Sequence, residues 1–131
     1  MSTLLLLDSD VFSYFFRDDP LRILYRSHVK DHALAISFMT VAEVFEGGYR
    51  AAWGEKRLEH LEQVIRSYLV LPSSDEACKL WAEVRAVRRR QPISAEDAWI
   101  AATALEYGCT LVTHNAVDFH GIPGLTIISE V

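Results

Sequence analysis

Four consecutive leucines, Leu4, Leu5, Leu6 and Leu7, run directly into an aspartate, Asp8. A strand with one wet face alternates apolar and polar side chains, so an unbroken run of this length fits a strand buried on both faces. Such strands belong to parallel sheets covered by helices on each side, and Asp8 then stands at the strand's exit. The run is too short for a membrane span and has no basic leader, so the reading expects neither signal peptide nor anchor but a cytoplasmic protein.

Further short apolar runs at residues 33–36, 70–71, 110–113 and 125–128 read as strands. Between them lie helical patterns. Residues 11–16 form an aromatic first helix, and a second is expected over 21–28, beyond Asp18, Asp19 and Pro20. A third, over 40–49, is expected to close at Gly47 and Gly48. Over 55–68, Leu58, Leu61, Val64 and Ile65 recur at three- and four-residue steps, and Leu69 continues them. The helix over 75–89 turns Ala77, Leu80, Trp81, Val84 and Val87 inward, and the one over 94–107 is apolar nearly all round and stops at Gly108. Strands alternating with helices over 131 residues predict one α/β domain, residues 1–131, with a parallel central sheet between two helical layers. Cys78 and Cys109 lack metal or redox spacing and read as reduced thiols packed as small apolar side chains.

Eighteen acidic against thirteen basic residues give a formal charge of −5, which repels nucleic acid unless a local patch overrides it. A carboxylate cluster neutralised by a bound cation would account for part of that excess. Ligand sites of open parallel sheets lie beyond the carboxyl ends of the strands. Asp8 follows the first strand, Glu43 falls in the first turn of the helix after the second, Asp97 in the first turn of the buried helix, and Asp118 after the fourth strand. Each has a structural account: Thr40 with Glu43 and Ser94 with Asp97 read as capping boxes, Asp8 as a helix cap, Asp118 as an Asx turn. Four carboxylates at one sheet edge are more than four independent caps. Converging, they would repel one another and raise their own pKa values unless a cation lay between them. An oxygen-only donor set suits Mg²⁺ or Mn²⁺, and the chemistry such an ion supports is phosphodiester hydrolysis by an activated water.

The motifs resemble those of the PIN domains and, among them, the VapC-type toxins. The apolar strand leading into Asp8, Ser9, Asp10, Val11 and Phe12 is similar to that family's first motif. Ser37, Phe38, Met39, Thr40, Val41, Ala42 and Glu43, followed by Gly47, resemble the second. The stretch over 93–104, with Ser94, Glu96, Asp97, Trp99 and Thr103, resembles the third and is the most specific. Leu111, Val112, Thr113, His114 and Asn115, then Asp118 and Phe119, then Pro123 and Gly124, resemble the fourth. The resemblance implies a Mg²⁺- or Mn²⁺-dependent endoribonuclease with Asp8 and Asp97 as metal ligands, Glu43 and Asp118 completing the catalytic set, and Asn115, Asp10 and Thr113 in support. It also implies an RNA substrate, a homodimer and a small cognate antitoxin. Asp10 stands where asparagine or serine is common in similar toxins, and Glu46 adds a carboxylate one turn beyond Glu43, so either could enter the metal shell.

Other readings are narrower. Asp8-Ser9-Asp10 also fits the opening of haloacid dehalogenase-type phosphatases, but the second half of the chain has only Lys79 and no adjacent aspartate pair. A histidine-based ribonuclease would have to use His114 and His120. A non-catalytic binding module would tolerate neutralised carboxylates. Arg85, Arg88, Arg89 and Arg90 form a basic cluster, in which Arg85, Arg88 and Arg89 are candidates for RNA phosphates and a solvated helix end is the alternative. Trp81 and Trp99 read as core, while the aromatic run over 12–16, which could pass for a base-stacking platform, suits a surface for a dimer partner or antitoxin.

Overall fold

The computed structural model describes residues 3–131; Met1 and Ser2, the first residues of the expected domain, lie outside the described residues. The leucine run supplies strand β1 (Leu5–Leu7), with all three side chains buried. Parallel strands β2 (Leu34–Ser37) and β4 (Thr110–Val112) flank it, β3 (Leu69–Leu71) pairs outside β2, and β5 (Ile127–Ile128) pairs outside β4. The order β3-β2-β1-β4-β5 puts the leucines at the centre of a five-stranded, all-parallel sheet. Being apolar on both sides is what that position demands, because both faces are covered.

Successive β1 residues point to opposite layers. Leu6 joins a core with Val84, Ala98, Ala101 and Ala104, built on helices α5 (Asp75–Val87) and α6 (Ala95–Tyr107). Leu5 and Leu7 join a second core with Val11, Phe12, Val44, Leu61 and Ile65, from α1 (Ser9–Phe16), α3 (Phe38–Arg50) and α4 (Glu55–Arg66). The expected three-layer α/β/α arrangement is therefore present. Helix α6 is buried along most of its length, and Gly108 ends it at φ 65°, as a left-handed terminating glycine does.

Several local expectations need correction, and Val87, expected to face inward, is exposed. The single helix expected over 21–28 is a 3₁₀ turn, Pro20–Leu24, followed by a one-turn helix α2 (Arg26–Val29). Asp19 caps the turn through Leu21 N–H at 2.9 Å, and Pro20 holds its first φ, so the tighter helix starts where proline permits it. Trp81 and Trp99 are only half-buried: they stack on each other, ring centroids 5.2 Å apart, at the rim of the core. Both cysteines are free thiols, but only Cys109 is packed as expected, whereas Cys78 is exposed.

A further correction concerns Gly47 and Gly48, through which α3 continues instead of ending. The turn away from α3 is made at Ala52, which adopts φ 56° without being glycine. Gly48 serves packing. A Cβ there would meet Trp53 Cε3 at 2.8 Å and Leu58 Cδ2 at 3.1 Å, whereas a Cβ at Gly47 meets nothing within 4 Å. These neighbours predict opposite outcomes on urea denaturation. Gly48→Val should cost about 1–3 kcal/mol through overpacking, while Gly47→Ala should gain roughly 0.5–1 kcal/mol of helix propensity.

Candidate active site

The carboxyl ends of β1, β2 and β4 open on a pocket of about 110 Å³ lined by Asp8, Asp10, Glu43, Asp97, Asn115 and Asp118, among others. All four carboxylates expected as catalytic therefore meet, and Asp10 and Asn115 join them. Glu46 does not line it; its exposed carboxylate pairs with Arg50 at 3.4 Å. No lysine or arginine lines the pocket, so five carboxylates face one another without a cationic side chain between them.

Each is placed by a different local device. Asp8 leaves β1 to cap α1, accepting the Val11 N–H at 2.9 Å, and its second oxygen accepts the Thr113 hydroxyl. Thr113 stands just beyond β4, takes the Asn115 N–H at 3.0 Å, and so supports Asp8 from behind. Glu43 lies further along its helix than expected, because Ser37 rather than Thr40 is the cap of α3, accepting the Thr40 N–H at 3.1 Å. Its Oε1 accepts the Ser9 hydroxyl at 2.7 Å. Ser9 stands in the first motif but was not among the expected site residues, although its place between two site aspartates was the available signal. Asn115 Nδ2 donates to Asp10 at 2.9 Å. Asp97 rides on the first turn of α6, whose cap is Ser94, accepting the Asp97 N–H at 3.0 Å.

Burial decides the protonation behaviour. Asp8 is 5% exposed, and desolvation pushes its pKa to about 7 against the lowering effect of the Thr113 and Val11 bonds; the charges of Asp10 and Asp97 push the same way as burial. Asp97 is raised to about 6, first by burial, then by the Asp118 charge, with the Ser94 bond opposing and Glu43 and Asp10 adding. Burial also raises Glu43, against its Ser9 bond, with Glu96, Asp10 and Glu46 reinforcing.

The donors are all oxygen, which suits a hard divalent ion. Among the described residues, no three histidine, cysteine or acidic side chains stand ready to hold a metal by themselves. Ions such as Mg²⁺ and Mn²⁺ take one or two carboxylates and leave the other positions to water and phosphate. The histidines differ: neither His114 nor His120 lines the pocket, and His114 Nδ1 is engaged by the hydroxyl of fully buried Tyr25.

The basic cluster divides. Arg88 is 9% exposed and donates to three backbone carbonyls, Gln91 at 2.7 Å and Asp118 and His120 at 2.9 Å each. It is thus a clamp on the 3₁₀ turn Ala116–Phe119 that carries Asp118, and the expectation that it meets phosphate is withdrawn. Arg85 donates to the Ile93 carbonyl at 3.0 Å and lies over Trp81, while Arg89 is exposed at the helix end.

A family model described as "PIN domain" matches residues 5–125. The chain belongs to the PIN domain family. This PIN domain is 27% identical over 124 residues to "Ribonuclease VapC1" of Haemophilus influenzae, covering 92% of each chain. It is 27% identical to the "tRNA(fMet)-specific endonuclease VapC" of Salmonella typhimurium, covering 93% of this chain and 94% of that one. Among solved structures it superposes on DNA-bound VapBC from Salmonella typhimurium with TM-score 0.83, at 26% identity and 98% coverage of both chains. VapBC-1 from nontypeable Haemophilus influenzae gives TM-score 0.81 at 26% identity, covering 96% and 97%.

Two tests follow from this geometry. A carboxylate whose pKa is raised on folding stabilises the protein below its unfolded pKa and loses that contribution as pH climbs through the folded value. In chelator, the melting temperature of this PIN domain should therefore fall between pH 5 and pH 7.5, and Asp97→Asn should flatten that fall; a rise with pH, or no effect of the substitution, contradicts the repulsion. Arg88→Ala leaves three carbonyls without their donor and should cost about 2–3 kcal/mol, whereas exposed Arg89→Ala should stay within about 0.5 kcal/mol of wild type, both read by urea denaturation.

Proposed function

We propose that this PIN domain is a Mg²⁺- or Mn²⁺-dependent endoribonuclease that hydrolyses RNA phosphodiester bonds, the toxin component of a pair with a small cognate antitoxin. The observation that carries the reading is the pocket of five carboxylates with no cationic side chain on its walls. The names of the relatives, VapC ribonucleases and VapBC complexes, support the same assignment. Asp8 and Asp97 would hold the ion, and Glu43 and Asp118 complete the catalytic set. Bound there, the ion would neutralise the pocket and act as a Lewis acid on the phosphate.

The side chains supply the rest. Thr113 and the Val11 N–H fix both oxygens of Asp8. Ser9 occupies Oε1 of Glu43 and leaves Oε2 to take a proton from the attacking water. Asn115 holds Asp10 at the pocket mouth. A homodimer and a cytoplasmic location belong to the same reading; among the described residues, no helix is long and apolar enough to cross a membrane.

Water attacking phosphorus does not use the ribose 2′-hydroxyl, so the products should carry 5′-phosphate and 3′-hydroxyl ends. Asp8→Asn and Asp97→Asn should each abolish cleavage of a mixed RNA pool, with circular dichroism unchanged, and excess chelator should do the same to the wild type. Cyclic phosphate ends, or full cleavage in chelator, would refute the metal-dependent assignment.

A further inference from the structure

The acidic pocket does not end at its rim. Ser9, Asp10 and Glu43 also form the inner end of a larger cleft, about 450 Å³, that runs between α1, α3 and the start of α4. Its chemistry inverts along its length. Beyond the carboxylates, its walls carry the aromatic rings of Phe16 and Trp53 and the guanidinium groups of Arg17 and Arg57.

Those two arginines differ from the three that are ion-paired. Arg22, Arg50 and Arg66 each lie within 4.0 Å of an acidic residue one helical turn away. Among the described residues, neither Arg17 nor Arg57 has a carboxylate within ion-pair distance. Arg57 instead rides on the Trp53 ring, 4.0 Å from its centroid, and Trp53 stacks on Phe16 with centroids 5.7 Å apart at 28°. Gly48 makes this wall possible, since any side chain there would collide with Trp53. A cleft of this size takes a nucleoside. Aromatic rings and guanidinium planes are the surfaces on which unpaired bases stack, and unneutralised arginines are what an otherwise acidic protein needs where phosphates run.

We propose that this cleft seats the nucleotide next to the scissile phosphate of a single-stranded RNA, its base against the Phe16, Trp53 and Arg57 wall and its flanking phosphates on Arg17 and Arg57. The assignment rests on the ribonuclease reading above and adds a substrate path to it. It also moves the RNA contact from the Arg85 to Arg90 cluster to the opposite helical layer. Unpaired RNA fits better than duplex, because stacking on the wall requires a base free of its partner.

The test uses the full-length protein with Asp97→Asn, which binds without cutting, and a short fluorescent single-stranded RNA followed by anisotropy over a range of salt. Adding Arg17→Ala and Arg57→Ala should weaken binding at least tenfold for all sequences. The pair should lower the slope of log affinity against log salt by about 1.4, at about 0.7 for each lost phosphate contact on a single strand. Trp53→Ala should weaken binding of that RNA several-fold while sparing an abasic version of the same strand. Both arginines are exposed, so their variants should fold, as circular dichroism can verify. Unchanged affinity and salt slope in the arginine pair, with a parent that binds and a wild type that cuts, overturns the cleft assignment alone and leaves the cleft to a protein partner. A wild type that neither binds nor cuts RNA overturns the ribonuclease reading and this inference together.

Discussion

The hydrogen bond from the Thr113 hydroxyl to Asp8 ties together the exits of two neighbouring strands, β1 and β4. On one side, it fixes a carboxylate that is almost wholly removed from water. On the other, the same threonine oxygen accepts the Asn115 N–H and so sets the start of the loop that carries Asp118. The two sides of the pocket are thus registered through one hydroxyl. Everything else at this edge adjusts to the resulting charge: burial lifts Asp8 and Asp97 out of the ordinary carboxylate range, and neighbouring carboxylates add to the effect.

This edge is kept in place by groups that are not themselves acidic. Tyr25, buried among the residues beneath α1, places its hydroxyl against the Thr113 carbonyl at 3.3 Å and accepts the Glu130 N–H at 3.1 Å, which anchors the last residues of the chain to the end of β4. Arg88 reaches from the end of α5 to the turn bearing Asp118. Its positive charge goes to backbone carbonyls and leaves the carboxylates of the pocket without a cationic partner among the described residues.

The central sheet was legible because a run of four leucines admits few alternatives, and the site because strand exits and helix starts are where an acidic residue is conspicuous. Asp8, Glu43, Asp97 and Asp118, picked by that rule, line one pocket. What escaped depends on contacts between distant segments. Arg88 and Arg89 are adjacent in sequence and look alike, yet only Arg88 meets a carbonyl from thirty residues away. Gly47 and Gly48 read as a helix end, but Gly48 answers to the Trp53 ring and the chain turns at Ala52. Glu43 was placed one turn too early because Thr40 mimics a cap that Ser37 provides. That neither Arg17 nor Arg57 has a carboxylate beside it, among the described residues, has no sequence signature.

The pairing of β1 with β4 bears on the order in which the molecule can assemble. Asp8 and Thr113 are 105 positions apart, so the contact that secures the first aspartate closes a loop containing most of the chain. Loops of that length form late, after local helices and the adjacent β1 and β2 have collapsed. During synthesis the amino-terminal half can pack its helices while Asp8 still faces an empty flank, and a chain stopped before Thr113 has no partner for its second oxygen. The pocket therefore cannot close until Thr113, Asn115 and Asp118 have joined the strand that carries Asp8.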